Sequence, residues 1–206
     1  MNLSSPNLPA ELTDSSLLPD EDELENYLLH DIDLRGEDLH SREFHGCVLR
    51  KCTLAECNFQ GAYFADVIFD HCDLSAANME NAVFHRVSLD NCRMTGADMI
   101  HALLRQVTLS RCKMDYLNLS QSKCEYVRWQ ECNLREASIE NCQWKQTEWE
   151  DCDMTRLTIH QTPMKGIDLR TCRLDGLTIQ LENLRGMVVT PLQASDLARL
   201  MGLVVR

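Results

Sequence analysis

The chain has 206 residues, 44% of them hydrophobic, and a formal net charge of −12 from 32 acidic and 20 basic residues. No apolar run approaches the roughly 20 residues that a membrane helix needs, and an acidic chain with no basic stripe excludes a surface built to hold nucleic acid directly. Met1 to Ser16 lacks the basic lead and apolar stretch of a secretion signal, so the expected compartment is the cytoplasm, where reduced thiols are normal.

The first element in chain order, residues 1–28, is an acidic leader. Residues 1–33 hold nine acidic residues and no Lys or Arg, which leaves 23 acids against 20 bases from Leu34 onward. Leu24, Tyr27 and Leu28 stand at helical spacing after Pro19 and Asp20, which predicts a short N-terminal amphipathic helix packed on the rest of the molecule. The remainder of the leader is expected to be partly disordered.

The second element, residues 29–189, is written in fives. From Leu29 through Leu34, Leu39, Phe44 and Leu49 to Leu184 and Val189, every fifth residue is bulky and apolar except Cys124. Two residues ahead of each runs a mostly small series, including Cys47, Cys57, Ala62, Val67, Ala77, Ala82, Ala97 and Ala102. Two inward positions in every five fit neither a 3.6 period nor an alternation of two, so the chain must turn every five residues. Ala77-Asn78-Met79, Ala97-Asp98-Met99 and Cys72-Asp73-Leu74 resemble the A(D/N)LXX consensus of the pentapeptide-repeat family. The resemblance implies an all-β solenoid, a right-handed quadrilateral β-helix of about eight coils in which four pentapeptides make a coil and residues twenty apart stack.

Steps of twenty test that implication. From Cys52 they give Cys72, Cys92, Cys112, Cys132, Cys152 and Cys172, a seven-rung inward cysteine ladder. The neighbouring face carries Cys47, Val67, Val87, Val107, Val127, Thr147 and Ile167. Eight coils at about 4.8 Å each make a rod about 40 Å long. No C-x-x-C pair occurs, and stacked in-register side chains point the same way rather than toward each other, so the cysteines read as small buried hydrophobes with metal or redox chemistry as the alternative. Gly36, Gly46, Gly61, Gly96, Gly166, Gly176 and Gly186 all fall two after a central residue, where the chain turns a corner. Tyr63, Val83 and Leu103 form an outward stripe, a packing site for the leader or for a partner.

The third element, residues 190–206, closes the rod. The inward rule fails at Glu182, and Thr190-Pro191-Leu192-Gln193 reads as a capping box with proline at the first helical position. A helix to about Met201 follows, ended by Gly202, then an apolar tail. Leu197, Leu200, Met201, Leu203, Val204 and Val205 are the expected dimerisation residues; capping of the coil end alone is the other reading.

No nucleophile elbow, phosphate loop, metalloprotease helix or dinucleotide fingerprint occurs, so no enzyme, catalytic residue, cofactor or metal site is expected. His40 and His45 on adjacent sides of the first coils read as solvated. Gln193 through Val205 is similar to the ending of the quinolone-resistance members of the family. That likeness implies a homodimer whose rod imitates duplex DNA and binds DNA gyrase or topoisomerase IV, giving fluoroquinolone protection, with carboxylates standing in for phosphates. Arg86, Arg93, Arg105, Arg111, Lys113, Lys123, Arg128 and Arg135 crowd the middle of the rod, so mimicry needs acids gathered on one face. Candidates are Asp70 with Asp90, or Asp151 and Asp153 near Glu131 and Glu148. A protein-protein interaction scaffold with an unidentified partner is the alternative.

Overall fold

The computed structural model describes residues 1 and 3–205; the side chain of Met201 is outside the described part. The inward pairs wind the chain into a four-sided solenoid. Its strands in chain order are β1 (Thr13–Ser15), β2 (Glu23–Glu25), β3 (Tyr27–His30), β4 (Glu43–His45), β5 (Val48–Arg50), β6 (Tyr63–Ala65) and β7 (Ile68–Asp70). They continue with β8 (Val83–Asp90), β9 (Leu103–Ser110), β10 (Lys123–Gln130), β11 (Ser138–Glu140), β12 (Gln143–Glu150), β13 (Thr158–His160) and β14 (Thr178–Ile179). Every pair is parallel, and from β2 onward partners differ by twenty residues, as in Glu43↔Tyr63 and Val83↔Leu103. The remaining two sides stack through isolated bridges in the same step, such as Asp73↔Arg93 and Asn78↔Asp98, except that β11, β13 and β14 pair as strands on one of them towards the C-terminal end.

We number the faces by their central residues: the first carries Phe44 and Phe64, the second Leu49 and Phe69, the third Leu54 and Leu74, the fourth Phe59 and Met79. All of these are at most 1% exposed. Phe64 is stacked between Phe44 and Phe84 at 5.0 Å on each side. The cylinder is therefore filled, and its stability comes from burial between neighbouring coils.

At every corner from Asn26 to Gly166 the backbone enters the left-handed region. Most of these corners are not glycine: Lys51 (φ 53°), His71 (φ 56°) and Arg111 (φ 54°) adopt it too. The seven glycines expected at corners all lie there with positive φ. Strain of about 1 kcal/mol per residue is offset because each corner N–H donates to the next coil, as Lys51 N does to Asp70 O at 2.8 Å. Gly46 is where glycine itself is needed, since a Cβ there would lie 2.7 Å from Asn26 Oδ1 and 3.4 Å from Pro9 Cδ.

The N-terminal helix predicted around Leu24 does not form. Leu24 lies in β2, fully buried, one pentapeptide before Leu29, so the repeat register begins there rather than at Leu29. Burial inside the cylinder outweighs a short helix that could cover only one face. The preceding residues are extended along a rod edge: Asn7 N donates to Asp66 Oδ1, Ser4 N to Gln106 Oε1 and the Met1 ammonium to Glu148 Oε1 at 2.8–2.9 Å.

At the other end the capping box forms as predicted. Thr190 Oγ1 accepts from Gln193 N, Gln193 Oε1 accepts from Thr190 N, and Pro191 opens the helix α1 (Pro191–Ala198). A 3-10 turn, Arg199–Met201, extends it to Gly202 (φ 77°). Gln193 Nε2 also donates to Leu169 O and Cys172 O, both at 2.8 Å, which ties the helix to the last coil. Leu197 packs against the core, whereas Leu192 is 75% exposed, so the apolar stripe of the helix divides between the rod and solvent.

Candidate functional site

Charge is distributed along the rod far more unevenly than composition suggests. Residues 1–43 contain twelve acidic residues against Arg35 and Arg42, leaving −10 of the total −12. All twelve are exposed, and those from Glu11 onward gather on the first two coils because β1 pairs with β3 and β2 with β4. Glu23 and Glu43 stack in register, and His45 Nε2 sits 3.0 Å from Glu43 and 3.6 Å from Glu23. This trio has metal-compatible geometry but is open to water. His40 lies on the fourth face with Asp38 (3.0 Å), so the two histidines do not share a site.

Along the middle of the rod, steps of twenty convert charge into ion pairs. Arg86 grips Asp66 with two bonds of 2.6 Å, Arg128 meets Glu148 at 2.8 Å, Arg50 meets Asp70 at 3.0 Å, and Arg111 reaches Asp90. Asp153 lies between Arg135 and Arg173. The acid pairs singled out in the sequence as a negative patch are therefore largely neutralised: Asp70 and Asp90 do stack in register, but each holds an arginine. The fourth face differs. Its outward positions carry Asp38, Glu80, Asp98 and Glu140 and no Lys or Arg.

The Arg86 guanidinium, first among its neighbours, holds the Asp66 carboxyl below its usual range, and the Met1 ammonium does the same for Glu148, with Arg128 adding to it. A carboxylate with a depressed native pKa stabilises the fold above its unfolded value and loses that contribution as pH falls through the native one. The leader should consequently loosen below the ordinary aspartate value of 3.8. Asp66→Asn is expected to cost about 1 kcal/mol and to speed exchange of the Asn7 amide at neutral pH, measured by hydrogen exchange. An unchanged Asn7 rate would mean that Asp66 does not hold the leader.

Tyr63, Val83 and Leu103 stack as expected in β6, β8 and β9 and are half-buried. The hydrogen bonds of the leader fall at the corner three residues further on, at Asp66 and Gln106. Of the expected dimerisation residues, Leu200, Leu203, Val204 and Val205 are exposed at 47%, 55%, 82% and 41%, Leu197 is packed on the core, and the Met201 side chain lies outside the described part. The acidic coils were visible as composition; their collection at one tip follows from pairing of β1 with β3, which carries no periodic signal.

A model of the pentapeptide repeat region matches residues 42–112 and 82–155, which together are more than half of the chain. The chain belongs to the pentapeptide-repeat family. The described residues contain no helix long and apolar enough to cross a membrane. No curated protein matches the sequence of this pentapeptide-repeat protein. Among solved structures it is similar to QnrB1, a plasmid-mediated fluoroquinolone resistance protein, at 16% identity over 85% of this chain and 100% of that one, with a TM-score of 0.49. A trypsin-treated QnrB1 variant is 22% identical over 89% of this chain and 90% of that one (TM-score 0.32). A pentapeptide repeat protein of the Arabidopsis thaliana thylakoid lumen is 22% identical over 60% and 65% (TM-score 0.18).

Proposed function

We propose that this protein is a non-enzymatic binding rod that pairs through its C-terminal end and offers its acidic N-terminal coils to the DNA-binding surface of a type II topoisomerase, DNA gyrase or topoisomerase IV. The observation that carries this reading is the charge gradient. A net −10 on two coils, about 10 Å of rod axis, is about one charge per Å, at least matching the duplex at one per roughly 1.7 Å. The remaining coils carry only −2. A tip of that density competes for basic grooves that hold DNA, and the base-free fourth face extends it along one side. Protection against fluoroquinolones would follow from displacing DNA from the drug-bound enzyme.

Pairing rests on the exposed Leu192, Leu200, Leu203 and Val204 at the capped end. Deleting residues 190–206 should halve the mass seen by light scattering; an unchanged mass would place the interface elsewhere. Gyrase supercoiling, titrated with the full chain with and without a fluoroquinolone, tests the topoisomerase reading: inhibition or drug rescue supports it. Silence toward both gyrase and topoisomerase IV would favour a scaffold displaying the Tyr63, Val83 and Leu103 stripe, which is half-buried but continuous.

A further inference from the structure

We propose that the C-terminal end of the cysteine ladder is a two-coordinate site for a soft d10 dication, held between the sulfurs of Cys152 and Cys172. The ladder is in register here, since the residues next to its cysteines bridge in parallel, Asn133↔Asp153 and Asp153↔Arg173. Up to Cys152 the thiols share one orientation along the rod: Cys132 Sγ donates to Leu109 O at 3.4 Å and Cys152 Sγ to Trp129 O at 3.6 Å, each reaching the carbonyl 23 residues earlier, while Cys172 follows in the same backbone register.

That parallel stacking defeats a disulfide, because sulfurs about one coil apart, 4.8 Å, would have to close to about 2.05 Å. The same stacking suits a metal. A d10 metal–thiolate bond is about 2.3 Å, so a linear S–M–S unit spans about 4.6 Å, close to the rise of one coil. Thiolates select soft ions over hard ones. Carboxylate-and-imidazole surfaces such as Glu23, Glu43 and His45 lack this selectivity.

The ladder is most open at this end: Cys172 is 6% exposed, whereas its other rungs, Cys52, Cys72, Cys92, Cys112, Cys132 and Cys152, are at most 2% exposed. A depression of about 310 Å³ is lined by Cys152 and Cys172 together with Asp151, Asp153 and Arg173. Of its two carboxylates, Asp153 is already met by Arg135 and Arg173, so the sulfurs themselves are the groups that would hold the ion. On binding, two S–H bonds break, two metal–sulfur bonds form and two protons leave for solvent, with no change of oxidation state. The product is a neutral bis-thiolate, so no net charge is buried.

The test uses the reduced full chain and mercuric ion as probe, read by native mass spectrometry, proton release and thiolate-to-metal ultraviolet absorption, with circular dichroism to confirm that the fold persists. One ion per chain with two protons released is expected. Cys152→Ala and Cys172→Ala should each weaken uptake at least 100-fold, and Cys52→Ala at the far end should leave it unchanged. Alanine already fills the same inward position at Ala62 and Ala77, and Cys172→Ser provides a second variant at the more exposed site. Uptake only after unfolding, or equal uptake by Cys172→Ala or Cys172→Ser while folded, would overturn the proposal.

Discussion

Replacing Cys112 with lysine is expected to abolish the native fold at room temperature. Cys112 is 1% exposed, in the middle of the ladder, with its thiol directed to the carbonyls of Leu89 and Ser110. Lysine there must bury an ammonium with no carboxylate in the lumen to meet it, and its longer side chain must displace the central residues of two coils. An uncompensated buried charge of this kind costs several kcal/mol, on the order of the whole stability of a domain. Loss of the β signal in circular dichroism, or a fall of Tm beyond measurement, is the expected result. A folded variant with an unchanged Tm would mean that the ladder faces water. Cys112→Ala, which only removes sulfur, should remain folded with a loss of about 1–2 kcal/mol.

Phe64→Ala is the next largest effect, because this ring is shared by three coils. It stacks between Phe44 and Phe84 and meets Phe59 and Phe69 edge-on at 5.6 and 5.4 Å. Removing it leaves a cavity within the aromatic column at a cost of about 3–5 kcal/mol. In a solenoid each coil contacts only its neighbours, so the damage should be local. Hydrogen exchange is expected to rise steeply from β4 to β8 and little in β12, where Trp149 stacks on Trp129 at 4.7 Å. Uniform acceleration along the chain would show a single cooperative unit instead. Phe64→Leu, nearer in volume, should recover about half of the loss.

Most of the rod was legible because its rule is local and exact in register. The twenty-residue step from Cys52 to Cys172 placed all seven thiols in the core, and the Thr190–Gln193 spacing placed the capping box. The leader was misread at Leu24, Tyr27 and Leu28, whose spacing satisfies a helix. Leu24 also lies five before Leu29, and the pentapeptide reading wins because the cylinder can bury that leucine completely. The edge-bound course of Met1 and residues 3–12 has no signature at all, since it depends on single contacts with Asp66, Gln106 and Glu148. Neutralisation of the basic middle was open to the same step of twenty, through Asp66 with Arg86 and Arg128 with Glu148, yet Arg111 reaches Asp90 across a twenty-one-residue offset that only the folded corner reveals.

An acidic tip that takes the place of duplex DNA must displace duplex from gyrase. A fluorescent duplex bound to gyrase is titrated with the full chain at about 50 and 200 mM salt. Competitive release of the duplex is expected, with the apparent affinity falling steeply between the two salts as screened carboxylates lose their hold. A variant with Glu21, Glu23, Glu25 and Glu43 changed to glutamine, which touches no inward residue, should release at least tenfold less efficiently. Failure of the native chain to displace duplex at either salt, or equal displacement by the neutralised variant, would mean that the acidic tip does not stand in for DNA.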